Sequence, residues 1–253
     1  MADRNLLGFG RSGNPTLGED AFRGLAGTGE GVMTLQGTVN KTGLSLLILL
    51  VGAAITWNLG NPPLRGLLVL GGAIGGLVLA LVISFKKTAA PYLTPVYAFL
   101  EGLLLGGVSA MYQAKYEGIV ILAVGLTLGT MAALLAAYSA RIIRATENFK
   151  LGVFAATGGV ALLYLVSMVM GLFGARIPYI HESGPIGIGF SLVVVVIAAL
   201  NLVLDFDFIE RGSASGAPKY MEWYGAFGLL VTLIWLYLEL LRLLSKIMGR
   251  SRR

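Results

Sequence analysis

Pro185-Ile-Gly-Ile-Gly-Phe190-Ser-Leu-Val-Val-Val-Val-Ile197-Ala-Ala-Leu-Asn201-Leu-Val-Leu204 runs for 20 residues without an ionisable side chain, then meets Asp205-Phe-Asp207-Phe-Ile-Glu210-Arg211. About 20 mostly apolar residues suffice for a helix to cross the ~30 Å hydrocarbon core of a bilayer. The segment is therefore read as a membrane helix, Pro185–Ile209, whose charged end marks a membrane surface. Six further stretches have the same character: Gly43–Leu59, Gly66–Phe85, Tyr92–Tyr112, Gly118–Ala140, Leu151–Ala175 and Trp223–Leu244. Pro62-Pro63, Pro91, Pro178 and Pro218 punctuate short connections, which force neighbouring spans to run antiparallel.

The whole composition agrees with that reading. Of 253 residues, 56% are hydrophobic and 13% charged, against roughly 45–50% and about 25% in soluble domains. Too little polar surface remains to coat a water-soluble body, which excludes a cytosolic enzyme. The fold class is thus all-α, a seven-helix transmembrane bundle over residues 43–244. A Gly-rich tail, 1–42, read as flexible and cytoplasmic, precedes it, and a basic tail, 245–253, follows.

Loop charges set the orientation. Eleven basic residues fall on the side of the amino terminus: Arg4, Arg11, Arg23, Lys41, Lys86, Lys87, Arg141, Arg144, Lys150, Arg211 and Lys219. Opposite loops carry only Arg65, Lys115 and Arg176. The amino terminus is therefore expected in the cytoplasm. Lys246, Arg250, Arg252 and Arg253 pull the other way, which a single re-entrant stretch with six crossings would satisfy; seven crossings are preferred. The net charge of +6 reflects these basic loops rather than nucleic-acid binding.

Several chemistries are excluded by inventory. With no cysteine there are no disulfides, thiolate nucleophiles or iron–sulfur sites. His181 is the one histidine and is placed in an outer loop, so a Ser–His pair on facing helices and a metal site of several imidazoles both fail. No His-Glu-x-x-His sequence occurs, and Lys246 lies past the end of the last span, where it would not form a retinal Schiff base. No enzymatic activity and no cofactor are expected. Asn40-Lys41-Thr42 matches a glycosylation acceptor of no consequence in a bacterial inner-membrane protein. Glycine pairs four apart, such as Gly71/Gly75, Gly72/Gly76, Gly102/Gly106 and Gly125/Gly129, are read as close helix packing.

Acids inside spans carry the functional signal, because burying charge in a bilayer costs about 2.5 kcal/mol or more. Four qualify: Glu101, Asp205, Asp207 and Glu239. Ser191, Val194, Ala198, Asn201 and Asp205 step by three and four residues, so they share one helix face. That face is small and polar, which points Asp205 into the bundle, about 9 Å above Arg211 at 1.5 Å per residue. Asp207 faces elsewhere, near the interface. Gly225, Gly228, Thr232 and Glu239 make a similar stripe on the last span. Glu239 lies near its outer end and is expected to pair with Arg242, three residues on. Glu101 sits about 14 Å into the third span, where Thr94, Tyr97 and Ser109 are expected to border it. No lysine or arginine in a span interior is expected to neutralise these acids.

Two segments resemble the Bax inhibitor 1 family. One is Leu202-Val-Leu-Asp205-Phe-Asp207-Phe-Ile-Glu-Arg211 with the helix ending Leu238-Glu239-Leu-Leu-Arg242-Leu-Leu244. The other is Phe99-Leu-Glu101-Gly102-Leu-Leu-Leu-Gly106. The Gly-rich tail and Gly216-Ala-Pro-Lys219-Tyr-Met-Glu-Trp-Tyr-Gly225 are most similar to the bacterial YccA-like branch, and the likeness spans about Lys41 to Leu244. The resemblance implies seven helices with one at the centre. It also implies a pH-sensitive calcium leak gated by two aspartates, on the sixth and seventh spans, that share a proton. Asp205 falls on the first position and Thr232, which cannot titrate, on the second.

Two functions follow. One is a cation leak past Glu101, Asn201, Asp205 and Thr232, whose oxygens suit a hard cation such as calcium. In it Asp205 would touch the ion transiently, and Asp207 or Glu101 would supply the missing acid. The other, drawn from the YccA-like resemblance, is modulation of a membrane-bound AAA quality-control protease through the amino-terminal tail.

Overall fold

A computed structural model describes residues 31–174 and 184–251 of the chain. The tail before residue 31 and the loop holding His181 and Arg176 lie outside the described residues. The described residues form seven helices: α1 (Leu35–Asn58), α2 (Pro62–Phe85), α3 (Ala90–Lys115), α4 (Ile119–Ser139), α5 (Glu147–Leu172), α6 (Pro185–Ala214) and α7 (Met221–Ser251). All seven are long and apolar enough to cross a membrane, and the protein is a multi-pass membrane protein. A single 3-10 turn, Lys87–Ala89, leads into α3.

Two ends differ from the sequence reading. Helix α1 starts at Leu35 rather than Gly43, because Thr34 Oγ1 accepts the Gly37 amide (3.0 Å) and caps it. The preceding residues are pinned as well: Met33 N donates to Ala217 O (2.7 Å), and Val32 bridges Pro218 in the α6–α7 turn. At the other end α7 continues through Leu244 to Ser251, carried by the apolar Ile247 and Met248. Lys246 is therefore a buried helix residue, not part of a tail.

Burial shows which helix is central. In the membrane window of α7, 72% of residues are buried, and in α3 56%, against 17% in α2 and α4 and 11% in α5. Helix α7 packs on α1, α3, α4 and α6, while α2 leans on α3 and α5 on α6. The central helix implied by the resemblance is thus α7, with α3 beside it.

Glycines bring α1 and α2 onto α3. A methyl group added to Gly52 would stand 2.5 Å from Phe99 O, and one on Gly72 2.5 Å from Leu100 O. Gly102 and Gly106 face the backbone oxygens of Leu49 and Ala53 just as closely. Thr56 Oγ1 seals this contact by donating to Leu103 O (2.9 Å). Among the glycines expected to pack, Gly71, Gly125 and Gly129 have open space around them instead. Gly106→Val is expected to lower stability by about 1–3 kcal/mol through overpacking, whereas Gly125→Ala is expected to leave it unchanged. Thermal unfolding of both variants in detergent micelles checks the contrast.

Candidate functional site

The α6 stripe points inward as its spacing requires. Ser191, Val194, Ala198, Asn201 and Asp205 are all buried, and Asp205 is 0% exposed. Asn201 Nδ2 donates to Thr157 Oγ1 on α5 and to Ile197 O one turn back, both at 2.8 Å. A carbonyl can only accept, so the amide orientation is fixed. Its Oδ1 is left buried and without a hydrogen bond among the described residues, one turn from the Asp205 carboxyl. Such an orphan acceptor is rare in a protein interior.

Thr232 is buried on α7, which packs along α6. Counted from the helix ends at the α6–α7 turn, Asp205, Thr232 and Asn201 lie about 14, 17 and 20 Å deep. The three therefore occupy one layer. Glu101, about 17 Å into α3, shares that depth but not the same neighbours. Its carboxylate lies against Gly76 of α2, and α3 and α6 share no packing surface of any size, with α7 in contact with both. Of the groups expected around Glu101, Tyr97 does border it, close enough to feel its charge, while Ser109 and Thr94 are engaged elsewhere. Ser109 and Tyr237 hydroxyls are 2.6 Å apart, Thr94 Oγ1 donates to Trp223 O (3.4 Å), and Tyr97 meets Phe227 edge to face.

Asp207 does not join this layer. Two residues beyond Asp205 it faces another side of α6, where it pairs with Arg211 (2.7 Å) and with Lys150 of α5 (3.3 Å). Glu210 accepts from Tyr138 and Arg141 beside it, and Glu147 pairs with Lys150 (2.9 Å). The result is an ionic lattice that ties α4, α5 and α6 together at one surface. Lys150, read from sequence as a loop charge, is buried in the first turn of α5 and pairs with the span-end acid Asp207.

The structure adds a carboxylate that sequence reading passed over. Glu222, fully buried at the start of α7, accepts from Thr34 N and Thr34 Oγ1 (2.9 Å each), from Lys219 (2.9 Å) and from Lys41. It locks the start of α1 to the start of α7. The signal was the Lys219–Glu222 spacing with Lys41 at the same surface, masked by reading the last span from Trp223. At the far end the expected pair forms: Arg242 Nη1 donates to Glu239 Oε1 (2.9 Å) and Oε2 (3.0 Å), with Tyr164 joining from α5.

The site is thus a dry layer of Asp205, Asn201 and Thr232 with ionic fastenings above and below it. It holds carboxyl, amide and hydroxyl oxygens suited to a proton or a hard cation, and among the described residues no cluster of three metal-ligating side chains. A family model described as Bax inhibitor 1 like matches residues 14–249. No curated protein matches the chain. With nearly the whole chain covered by that match, and the acid-bearing α6 packed against a central α7, the chain belongs to the Bax inhibitor 1 family.

Proposed function

We propose that the protein is a membrane cation leak, with calcium as the ion, held shut in this conformation at Asp205. The observation that carries the reading is the buried, unbonded Oδ1 of Asn201 one turn from Asp205. Two oxygen-bearing side chains set together in a low-dielectric layer favour a proton or cation between them. Zero exposure of Asp205 means that no water-sized space adjoins it, so conduction requires α6 to move relative to α7. Thr232 stands where the resemblance implies the second aspartate, so the proton-sharing pair is incomplete, and Asp207 is bound to Arg211 and Lys150. Asp205 is the acid that gates this leak, and Glu101 lines a separate side of α3. The reading assigns no enzymatic step. The YccA-like resemblance favours a bacterial inner membrane, and the loop charges favour the start of α1 in the cytoplasm.

The test is calcium flux into proteoliposomes at pH 6 and pH 8, with wild type beside Asp205→Asn. Wild-type flux is expected, and the variant is expected to lose it while keeping its helical signal and elution volume. Flux that survives the substitution removes Asp205 from the path and overturns its role as the gate, whereas no wild-type flux at either pH sinks the leak reading.

The clasp around Glu222 favours a second reading. Residues 32–34 are bonded to the α6–α7 turn and to the start of α7, so any partner that pulls on the preceding tail loads α6 and α7 directly. A membrane-bound AAA protease gripping that tail would be modulated by how firmly the clasp holds. If wild type conducts nothing at either pH, this reading takes precedence.

A further inference from the structure

At the end of the bundle opposite the Glu222 clasp, α3 and α7 part around a cleft of about 480 Å³ lined by Tyr112, Lys115, Tyr116, Arg242, Ser245 and Lys246. Its depth is informative. Arg242 and Lys246 lie about 32 and 38 Å along α7 from Met221, and Lys115 about 38 Å along α3. A hydrocarbon core is about 30 Å thick, so the cleft opens where acyl chains give way to headgroups. Tyrosine is enriched at that level, and long basic side chains near helix ends reach it.

Three cations line the cleft, and the acid at its inner edge, Glu239, is occupied by Arg242. Every hydrogen bond of Arg242 runs through Nη1; Nη2 and Nε have none among the described residues. The guanidinium is therefore clamped by one nitrogen and presents its remaining donors. Lys246 is 5% exposed and fixed, its Nζ donating to Gly187 O (2.9 Å) and Ser191 Oγ (2.8 Å). It sits one turn from Arg242, and like charges four residues apart repel. An anion seated between them offsets that repulsion. Lys115 lies over the ring of Tyr116, 5.4 Å from its centre, at the mouth.

We propose that this cleft binds the phosphate of a phospholipid headgroup, with Arg242 and Lys246 at its base and Lys115 across its mouth. A planar guanidinium with free parallel donors matches phosphate oxygens. The rings of Tyr112 and Tyr116 offer an apolar wall to the glycerol and first chain carbons. A free inorganic phosphate would use the same cations but gain nothing from that wall or from the interfacial depth. The site is independent of any cation path through Asp205.

The test is native mass spectrometry of the full chain in detergent with dilauroyl phosphatidylglycerol as the probe. Dilauroylglycerol, which has the same chains and no phosphate, is the first control, and inorganic phosphate as competitor is the second. The phospholipid is expected to bind, the diacylglycerol is not, and millimolar phosphate is expected not to displace it. A surface lysine contributes about fivefold to such binding. The exposed Lys115→Gln should therefore weaken it by about fivefold, Lys115→Gln/Lys246→Gln by about twentyfold or more, and Lys86→Gln at the opposite end not at all. Because Lys115 is exposed, its variant keeps the test valid even where the double variant folds poorly. Equal retention of the diacylglycerol, or unchanged binding in Lys115→Gln, overturns the proposal. Displacement by inorganic phosphate overturns the lipid source.

Discussion

Glu222→Gln is expected to destabilise the purified protein by about 3–5 kcal/mol, the range for removing one partner of a buried ion pair. The carboxylate is fully buried and accepts from four donors on three sides: Thr34 N, Thr34 Oγ1, Lys219 and Lys41. An amide keeps one acceptor oxygen but turns an NH2 group toward a lysine, so a donor faces a donor. Lys41, with a side chain only 19% exposed, then loses its counter-charge. The loss is measured by denaturant titration in mixed micelles. Limited proteolysis adds a local reading, because cleavage near residues 31–34 should rise before the core opens. Lys41→Met in the Glu222→Gln background should recover part of the loss, because the two residues act through one contact. A Glu222→Gln protein as stable as wild type would show that the clasp contributes nothing.

Arg242→Ala carries a second large expected cost, again about 3–5 kcal/mol. Glu239 is 1% exposed and would keep only the Tyr164 hydroxyl, 2.9 Å away, as a donor. Glu239→Gln should cost less, because an amide still accepts from Arg242 and leaves that partly exposed guanidinium in reach of water. Replacing both residues together, as Arg242→Met/Glu239→Leu, is expected to approach wild-type stability, since an apolar pair avoids the desolvation of both charges. Thermal unfolding of the three variants ranks them. A double variant weaker than Arg242→Ala would contradict this account.

The fold was legible because hydrophobic length in a bilayer is a strong constraint that few residue choices can mimic. Every span appeared in sequence, and the three- and four-residue steps from Ser191 to Asp205 placed the α6 face correctly. The Glu239–Arg242 pair was legible because it is local. What escaped was long-range. Nothing in the run before Gly43 announces that Thr34 caps a helix and meets Glu222, 188 positions away. Lys150 looked like a loop charge, since its reach to Asp207 depends on how α5 leans on α6. Glu101 was given hydroxyl neighbours by helical spacing alone. Tyr97 does border it, but the hydroxyls of Thr94 and Ser109 belong to the α3–α7 contact, while Glu101 itself turns toward Gly76. Spacing reports which face a residue occupies and not which helix comes to cover that face.

The bonds between residues 33–34 and the α6–α7 turn also impose an order on biogenesis. Their acceptors, Ala217 O and Glu222, leave the ribosome only after all six preceding helices have been made. Helix α1 can enter the bilayer early and find α3 through its glycines, but its first turn cannot be fastened until α6 and the turn after it have been made. Helix α7, the axis on which four others pack, is made after the six other described helices. The bundle therefore closes from its end, and a nascent chain stalled before Met221 exposes both an uncovered core and an untethered beginning.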